Sequence, residues 1–199
     1  MLVNHDFSHP AVVTPDKYQW VPSPQRGIER VMLDRIGAEQ ARATSIVKYL
    51  PNSVFPEHQH PDGEEILVIS GVFSEGSVHY PAGWYLRNPH GSSHCPSSRE
   101  GAVIFVKLRQ MGRSDDKSLR INTNDPANWT PLPNGMICRL VENANETVSL
   151  KRVNENSSVL SEMDIGGAEI LVLEGELRNK NLIYSAGTWI RFPPERCRG

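Results

Sequence analysis

Five of the seven histidines, His58, His60, His79, His90 and His94, fall within a stretch of 37 residues, while His5 and His9 stand near the N-terminus. His58 and His60 are two apart, and alternate side chains of a strand share a face, so both imidazoles can project into one interior. Glu64 follows a Pro61-Asp62-Gly63 turn signal, and His94 follows two more, at 81–83 and 88–91. An H-x-H pair alone is more often a surface or core pair than a ligand pair. A carboxylate and a third imidazole arriving from other strands change the reading to a mixed nitrogen and oxygen donor set. Such a set suits Zn, Fe, Ni, Cu or Mn and is unlike the all-oxygen shells of Ca and Mg.

The neighbours read differently. Glu65 points to the opposite face of a regular strand from Glu64 and is expected to be structural. His79 and His90 read as surface or packing residues, Cys95 as an inert buried thiol rather than a redox-sensitive one, and Arg87 as a hydrogen-bonding support of the fold.

The elements that must position these groups are short β-branched or aromatic runs at 28–34, 43–50, 65–70, 76–80, 84–88 and 102–108, separated by turn signals. With 15 glycines and 15 prolines in 199 residues, the expected class is all-β, a barrel or sandwich. The polar segment 110–128 reads as a connection with a boundary near 112, and the first residues read as a mobile tail.

The chain also repeats itself. A shift of 104 residues lays 63–71 over 167–175, with identity at Gly63, Glu65, Ile66, Leu67, Val68 and Gly71. The same shift lays YPAGWYLRNP (80–89) over YSAGTWIRFP (184–193) without a gap. Two tandem β-modules are expected, 1–112 and 113–199. In the second, His58 becomes Glu162, His60 becomes Asp164, Glu64 becomes Ala168 and His94 becomes Arg198. No imidazole remains, and the expectation is a salt-bridged plug in a disused pocket. The counterpart of the strand at 102–108 would begin near position 206, so the second module is expected to be incomplete and to leave an open edge.

Composition excludes other classes. Lys and Arg total 21 against 23 Asp and Glu, a net charge of −2, and no basic block offers a footprint for nucleic acid. No window approaches the roughly 18 to 20 apolar residues of a membrane span. Three cysteines, Cys95, Cys138 and Cys197, form no C-x-x-C pair, and no secretory signal opens the chain, so a reducing cytoplasm is expected.

His58-Gln59-His60, Glu64, Gly71, Pro81-Ala82-Gly83 and His94 together resemble the two cupin motifs. The stretch YPAGWYLRNPHGSSH (80–94) looks in particular like the cupin domain of ChrR-type anti-sigma factors. The resemblance covers about residues 20 to 110, with the second copy a degenerate cupin. It implies a small antiparallel β-barrel with one divalent transition metal in its mouth, held by His58, His60, Glu64 and His94. In the ChrR-type pattern a helical zinc domain that contacts the sigma factor precedes the cupin. This chain opens on a cupin strand, so a sensor or accessory role is expected.

Metal identity divides two functions. Zinc, the first expectation, fills its tetrahedron with four protein ligands and suits a sensor addressing a protein partner, a sigma factor or regulator, or a small-molecule ligand. Iron, manganese or nickel would leave positions open, and similar cupins carry dioxygenase activity on small diketones or aromatic ketones, with Trp84, Tyr85 and Phe73 lining an apolar pocket. The resemblance also implies a homodimer.

Overall fold

A computed structural model describes residues 1–112, 115–160 and 166–194. The main sheet runs, in antiparallel order, through Leu2–Val3, Ile28–Ile36, Arg42–Tyr49, Ala102–Leu108, Glu64–Glu75, Trp84–Asn88 and Leu119–Asn122. Its central strand is the 12-residue run Glu64–Glu75, which serves two sheets. Its first half pairs with Ala102–Leu108 and Trp84–Asn88, and its last residues pair with Val78–Pro81 and Pro96–Ser98. The sheet thereby curls over itself into a barrel. The turnover lies at Gly71, whose φ is +71° and where a Cβ would stand 2.0 Å from the Gly101 carbonyl oxygen. Only glycine fits there.

Alternation along the strands fills the barrel. Ile66, Val68, Phe73, Leu86, Ala102, Ile104 and Val106 are buried together inside it. The outward residues are also apolar because the second half covers them. Val31, Leu33 and Ile46 pack with Ala11 and Trp189, flanked by Ile69, Val103, Phe105 and Leu171. Tyr85, Leu67, Leu119 and Ile121 pack with Cys138, Leu140, Val141, Val148 and Leu150. A strand buried on both faces reads as a continuous apolar run, which is what AVIFVKL (102–108) is.

The two halves exchange strands. Leu119–Asn122 pairs with Trp84–Asn88, Leu119 opposite Arg87. Ala11–Val13 pairs with Trp189–Phe192, Ala11 opposite Arg191. Arg87 and Arg191 are repeat equivalents, so the leading strand of each half completes the sheet of the other. Two expectations are corrected here. The polar segment 110–128 is more than a connection, because its apolar Leu119 and Ile121 make a strand on the first half's sheet. The N-terminal residues are no loose tail, because Leu2–Val3 and Ala11–Val13 are both paired. Among the described residues, no strand pairs with the outer edge of Ala168–Leu171, the place that Ala102–Leu108 occupies in the first half. Nor is any helix there long and apolar enough to cross a membrane.

The equivalent arginines lock this exchange. Arg87 is fully buried and its Nη1 lies 2.7 Å from Glu65 Oε1, while its Nη2 pairs with Asp115 and Glu146. Arg191 donates to Asp34 at 3.1 Å and to the carbonyls of Asn4 at 2.7 Å and Asp6 at 3.1 Å. Each guanidinium thus ties its own sheet to residues from the other half of the chain.

Removing one partner of a buried ion pair leaves an uncompensated charge. Arg87→Met is therefore expected to cost about 3–5 kcal/mol in urea denaturation near neutral pH. Burial and the nearby Glu146 already push the Glu65 carboxyl above its ordinary 4.5. Loss of the cation raises it further, so the folded variant binds protons more readily than the unfolded one. Its deficit should shrink as pH is lowered towards that value, and a deficit that grows would contradict the assignment.

Candidate metal centre

The four sequence-selected residues reach one point from three stretches of chain. His58–Gln59 and Ser93–His94 are two-residue strands paired with each other, His58 directly opposite His94. His60 follows at alternate spacing, and its carbonyl accepts from the amides of Gly63 and Gly91, fixing both neighbouring turns. At Gly63 φ is +78° and the Met111 side chain lies where a Cβ would stand. That residue turns the chain so that Glu64 opens the long strand at the barrel mouth.

One ligand-type atom from each of His58, His60, Glu64 and His94 lies within 4.8 Å of all the others. His60 Nε2 is 3.2 Å and His94 Nε2 3.4 Å from the same Glu64 oxygen, Oε2. The ring centroids are 5.0 Å apart for His58 and His60, 4.7 Å for His58 and His94, and 4.4 Å for His60 and His94. His60 and Glu64 are buried, whereas His58 is partly exposed.

The hydrogen bonds behind the rings decide which nitrogen carries the proton. His58 Nδ1 lies 2.9 Å from the Pro56 carbonyl, which can only accept. His94 Nδ1 lies 2.6 Å from the Glu75 carboxylate, again an acceptor. His60 Nδ1 lies 2.9 Å from the Ser92 hydroxyl, which gives its own hydrogen to the Pro89 carbonyl at 2.7 Å and so accepts from the ring. All three imidazoles are therefore held as Nδ1–H tautomers, with the Nε2 lone pair turned inward.

Inward there is no donor to receive two of them. His60 Nε2 and His94 Nε2 are buried and have no hydrogen-bond partner. Both face a carboxylate that is itself an acceptor, steadied by Asn88 Nδ2 at 3.0 Å. Lone pairs aimed at one another at this depth cost free energy, and a cation among them removes that cost. Protonation of the ring is the alternative, and at His60 burial above all pushes the pKa down, against the pull of Glu64. The cluster fits a bound metal, and its residues could hold one by three imidazole nitrogens and one carboxylate oxygen.

The remaining predicted residues lie elsewhere. Glu65 faces away from the cluster and binds Arg87 and the Tyr85 hydroxyl, the latter at 2.7 Å. His79 pairs with Ser74 at 2.9 Å, and His90 accepts from the Asp62 amide at 3.0 Å, half-exposed on the turn. Cys95, expected to be buried, is instead exposed, because it lies at the barrel rim between Ser93–His94 and Pro96–Ser98, with the thiol against the Phe55 carbonyl. Of the three aromatics expected in one pocket, Phe73 lies inside the barrel 6.2 Å from the His94 ring. Trp84 packs on Tyr80. Tyr85 projects to the other face of the sheet, where the second half covers it, so it cannot line a pocket at the cluster. In the second half Ala168 is partly buried opposite Phe192. Glu162, Asp164 and Arg198 lie outside the described residues.

Sequence reasoning missed the residues that steady the four cluster side chains. Glu75, Asn88 and Ser92 have no metal-binding spacing of their own, and Arg120 belongs to the stretch read as a connection. Glu75 is held at about 2: burial raises its pKa, but the hydrogen bond from His94 and the Arg120 guanidinium outweigh it.

Known proteins place this architecture. The chain superposes on a protein from Pseudomonas aeruginosa named as glyoxylate induced, with a TM-score of 0.72 and 16% identity, over 93% of this chain and 80% of that one. A protein from Nostoc punctiforme named as a dioxygenase gives 0.71 and 14% over 94% and 76%. Ylba from Escherichia coli gives 0.64 and 14% over 95% and 84%. At these identities the likeness is one of fold. No curated protein matches the chain by sequence. The family model described as the ChrR Cupin-like domain matches it twice, over residues 8–112 and 117–197. This protein belongs to the ChrR cupin-like domain family.

Proposed function

We propose that the chain is a metal-binding regulatory module in which His58, His60, Glu64 and His94 hold one divalent transition metal. The observation that carries this reading is the convergence of Nε2 lone pairs on the Glu64 carboxylate, with every Nδ1 proton engaged behind. Zinc suits the set best, because four protein ligands complete its tetrahedron and leave no open position. Behind the cluster the barrel is filled by Phe73, Val68, Ile66 and Ile104 rather than left open for a substrate. In this reading the protein works in the cytoplasm, each chain is built of units 1–112 and 113–199, and two chains pair as a homodimer. Its metal state is read by a protein partner, a sigma factor or another regulator, or set by a small-molecule ligand. The family supports that role through its ChrR-type description.

A second reading is a metal-dependent dioxygenase acting on a small diketone or aromatic ketone. It rests on the partly exposed edge of His58, beside which the Phe55 ring lies at 4.8 Å. An iron, manganese or nickel ion would keep positions for substrate and dioxygen. The protein would then supply the three imidazoles and Glu64 as ligands and the Phe55 ring as an apolar wall.

Metal analysis of untagged protein separates the two. One zinc per chain, lost in His58→Ala and in His94→Ala, is expected. Iron or manganese with oxygen uptake on small diketones would replace the sensor reading by the enzyme. Under about a tenth of an equivalent of any transition metal would overturn both. The tautomer argument has its own test in Ser92→Ala, which takes away the acceptor behind His60. Metal affinity measured by chelator competition should fall about tenfold or more, and an unchanged affinity would show that Ser92 does not orient the ring.

A further inference from the structure

Two of the four cluster residues are steadied through a single side chain from the other half of the repeat. Arg120 lies on the exchanged strand Leu119–Asn122, opposite Leu86. Its Nε and Nη2 donate to Glu75 Oε2 at 3.2 Å and 2.8 Å, and its Nη2 donates to Asn88 Oδ1 at 2.7 Å. Glu75 uses its other oxygen, Oε1, to accept from His94 Nδ1 at 2.6 Å. Asn88 uses its amide nitrogen to donate to Glu64 Oε2 at 3.0 Å. Because the guanidinium can only donate, it fixes which end of the Asn88 amide faces Glu64. Released from it, the amide could turn and set its oxygen against the carboxylate. Arg120 also donates to the Tyr80 hydroxyl at 3.2 Å and to the carbonyls of Arg87 at 3.1 Å and Leu119 at 2.8 Å.

A plain structural role would leave such a residue present in both halves. The repeat argues otherwise. Glu65 and Arg87, which hold the sheets together, persist as Glu169 and Arg191. Glu75 and Asn88 are replaced by Asn179 and Phe192 at the 104-residue shift, and the strand register sets Val12 opposite Ile190 where Arg120 stands opposite Leu86. All three members of the relay are gone from the half that has no imidazoles. The relay follows the ligands and not the fold.

We infer that Arg120 is a positioning residue for the metal cluster, acting through Glu75 on His94 and through Asn88 on Glu64, so that metal occupancy and the seating of the exchanged strand are coupled. The inference rests on the metal reading above. Coupling of this kind is reciprocal: whatever the seated strand adds to metal affinity, bound metal returns to the strand.

The test uses the full chain and Co(II) alone, with affinity from chelator competition. Arg120→Met and Glu75→Gln are each expected to weaken binding about 10–100-fold. Combined, they should weaken it little more than the stronger single change, because they break one relay. Arg120→Lys keeps the charge without the fork and should recover part of the loss. In the unmutated protein, Co(II) should slow amide hydrogen exchange across 119–122, and in Arg120→Met it should not. Cobalt binding by the unmutated chain together with unchanged affinity in Arg120→Met, or full additivity with Glu75→Gln, would overturn the inference and leave the metal reading intact. No cobalt uptake by the unmutated chain would overturn the metal reading itself. Should Arg120→Met fail to fold, the exchange measurement on the unmutated chain decides, and unchanged protection across 119–122 overturns the inference.

Discussion

Two buried imidazole nitrogens without a hydrogen-bond partner face one carboxylate oxygen at the mouth of the first barrel, and most of the surrounding structure is arranged to keep them there. The Pro56 carbonyl, the Ser92 hydroxyl and the Glu75 carboxylate each occupy the far nitrogen of one ring. Without a cation, a cluster of this kind carries the cost of unsatisfied buried polar atoms. The barrel's packed interior and its short, tightly turned mouth strands hold the four groups near one another despite that cost. If the proposed cation binds there, the geometry that receives it is already built into the folded chain.

Duplication explains the arrangement of the rest. Each half alone has a sheet with an apolar outer face, and the halves solve this by facing those surfaces to each other and trading leading strands. Arg87 and Arg191 sit at equivalent points of that trade, and each is bound to carboxylates or carbonyls supplied from far along the sequence. The first half kept the donors and their supports. The second kept only what the packing needs: the glycine turn, the buried glutamate and the arginine.

Much of this was legible in the residues, and the reasons are local. The strands from 28 to 108 are set by β-branched runs between turn residues, and the clustering of the four side chains by His58 and His60 at alternate spacing with Glu64 just past a turn. The register of the repeat was legible because Ala-Gly, Arg and Pro recur without a gap. What could not be read was whatever depends on partners distant in sequence. Ala11-Val12-Val13 is too short to announce a strand, and it becomes one only because Trp189–Phe192 offers an edge. Arg120 sits among polar residues with no periodicity, and its role exists only once Leu119–Asn122 is laid beside Trp84–Asn88. Tyr85, expected at the cluster, follows strand alternation to the opposite face, a consequence of register that composition does not carry.

The traded strands also bear on how the molecule comes into being. Arg191 reaches back to the Asn4 carbonyl across 187 residues. During synthesis the strand Ala11–Val13 therefore has no edge to join until Trp189–Phe192 has been made. Long-range pairing of this sort is slow to form and must bear a loop-closure penalty first. The first barrel can gather its own core early, but Ala11–Val13 stays unlatched until Trp189–Phe192 arrives, and one of the first strands made is among the last to be paired.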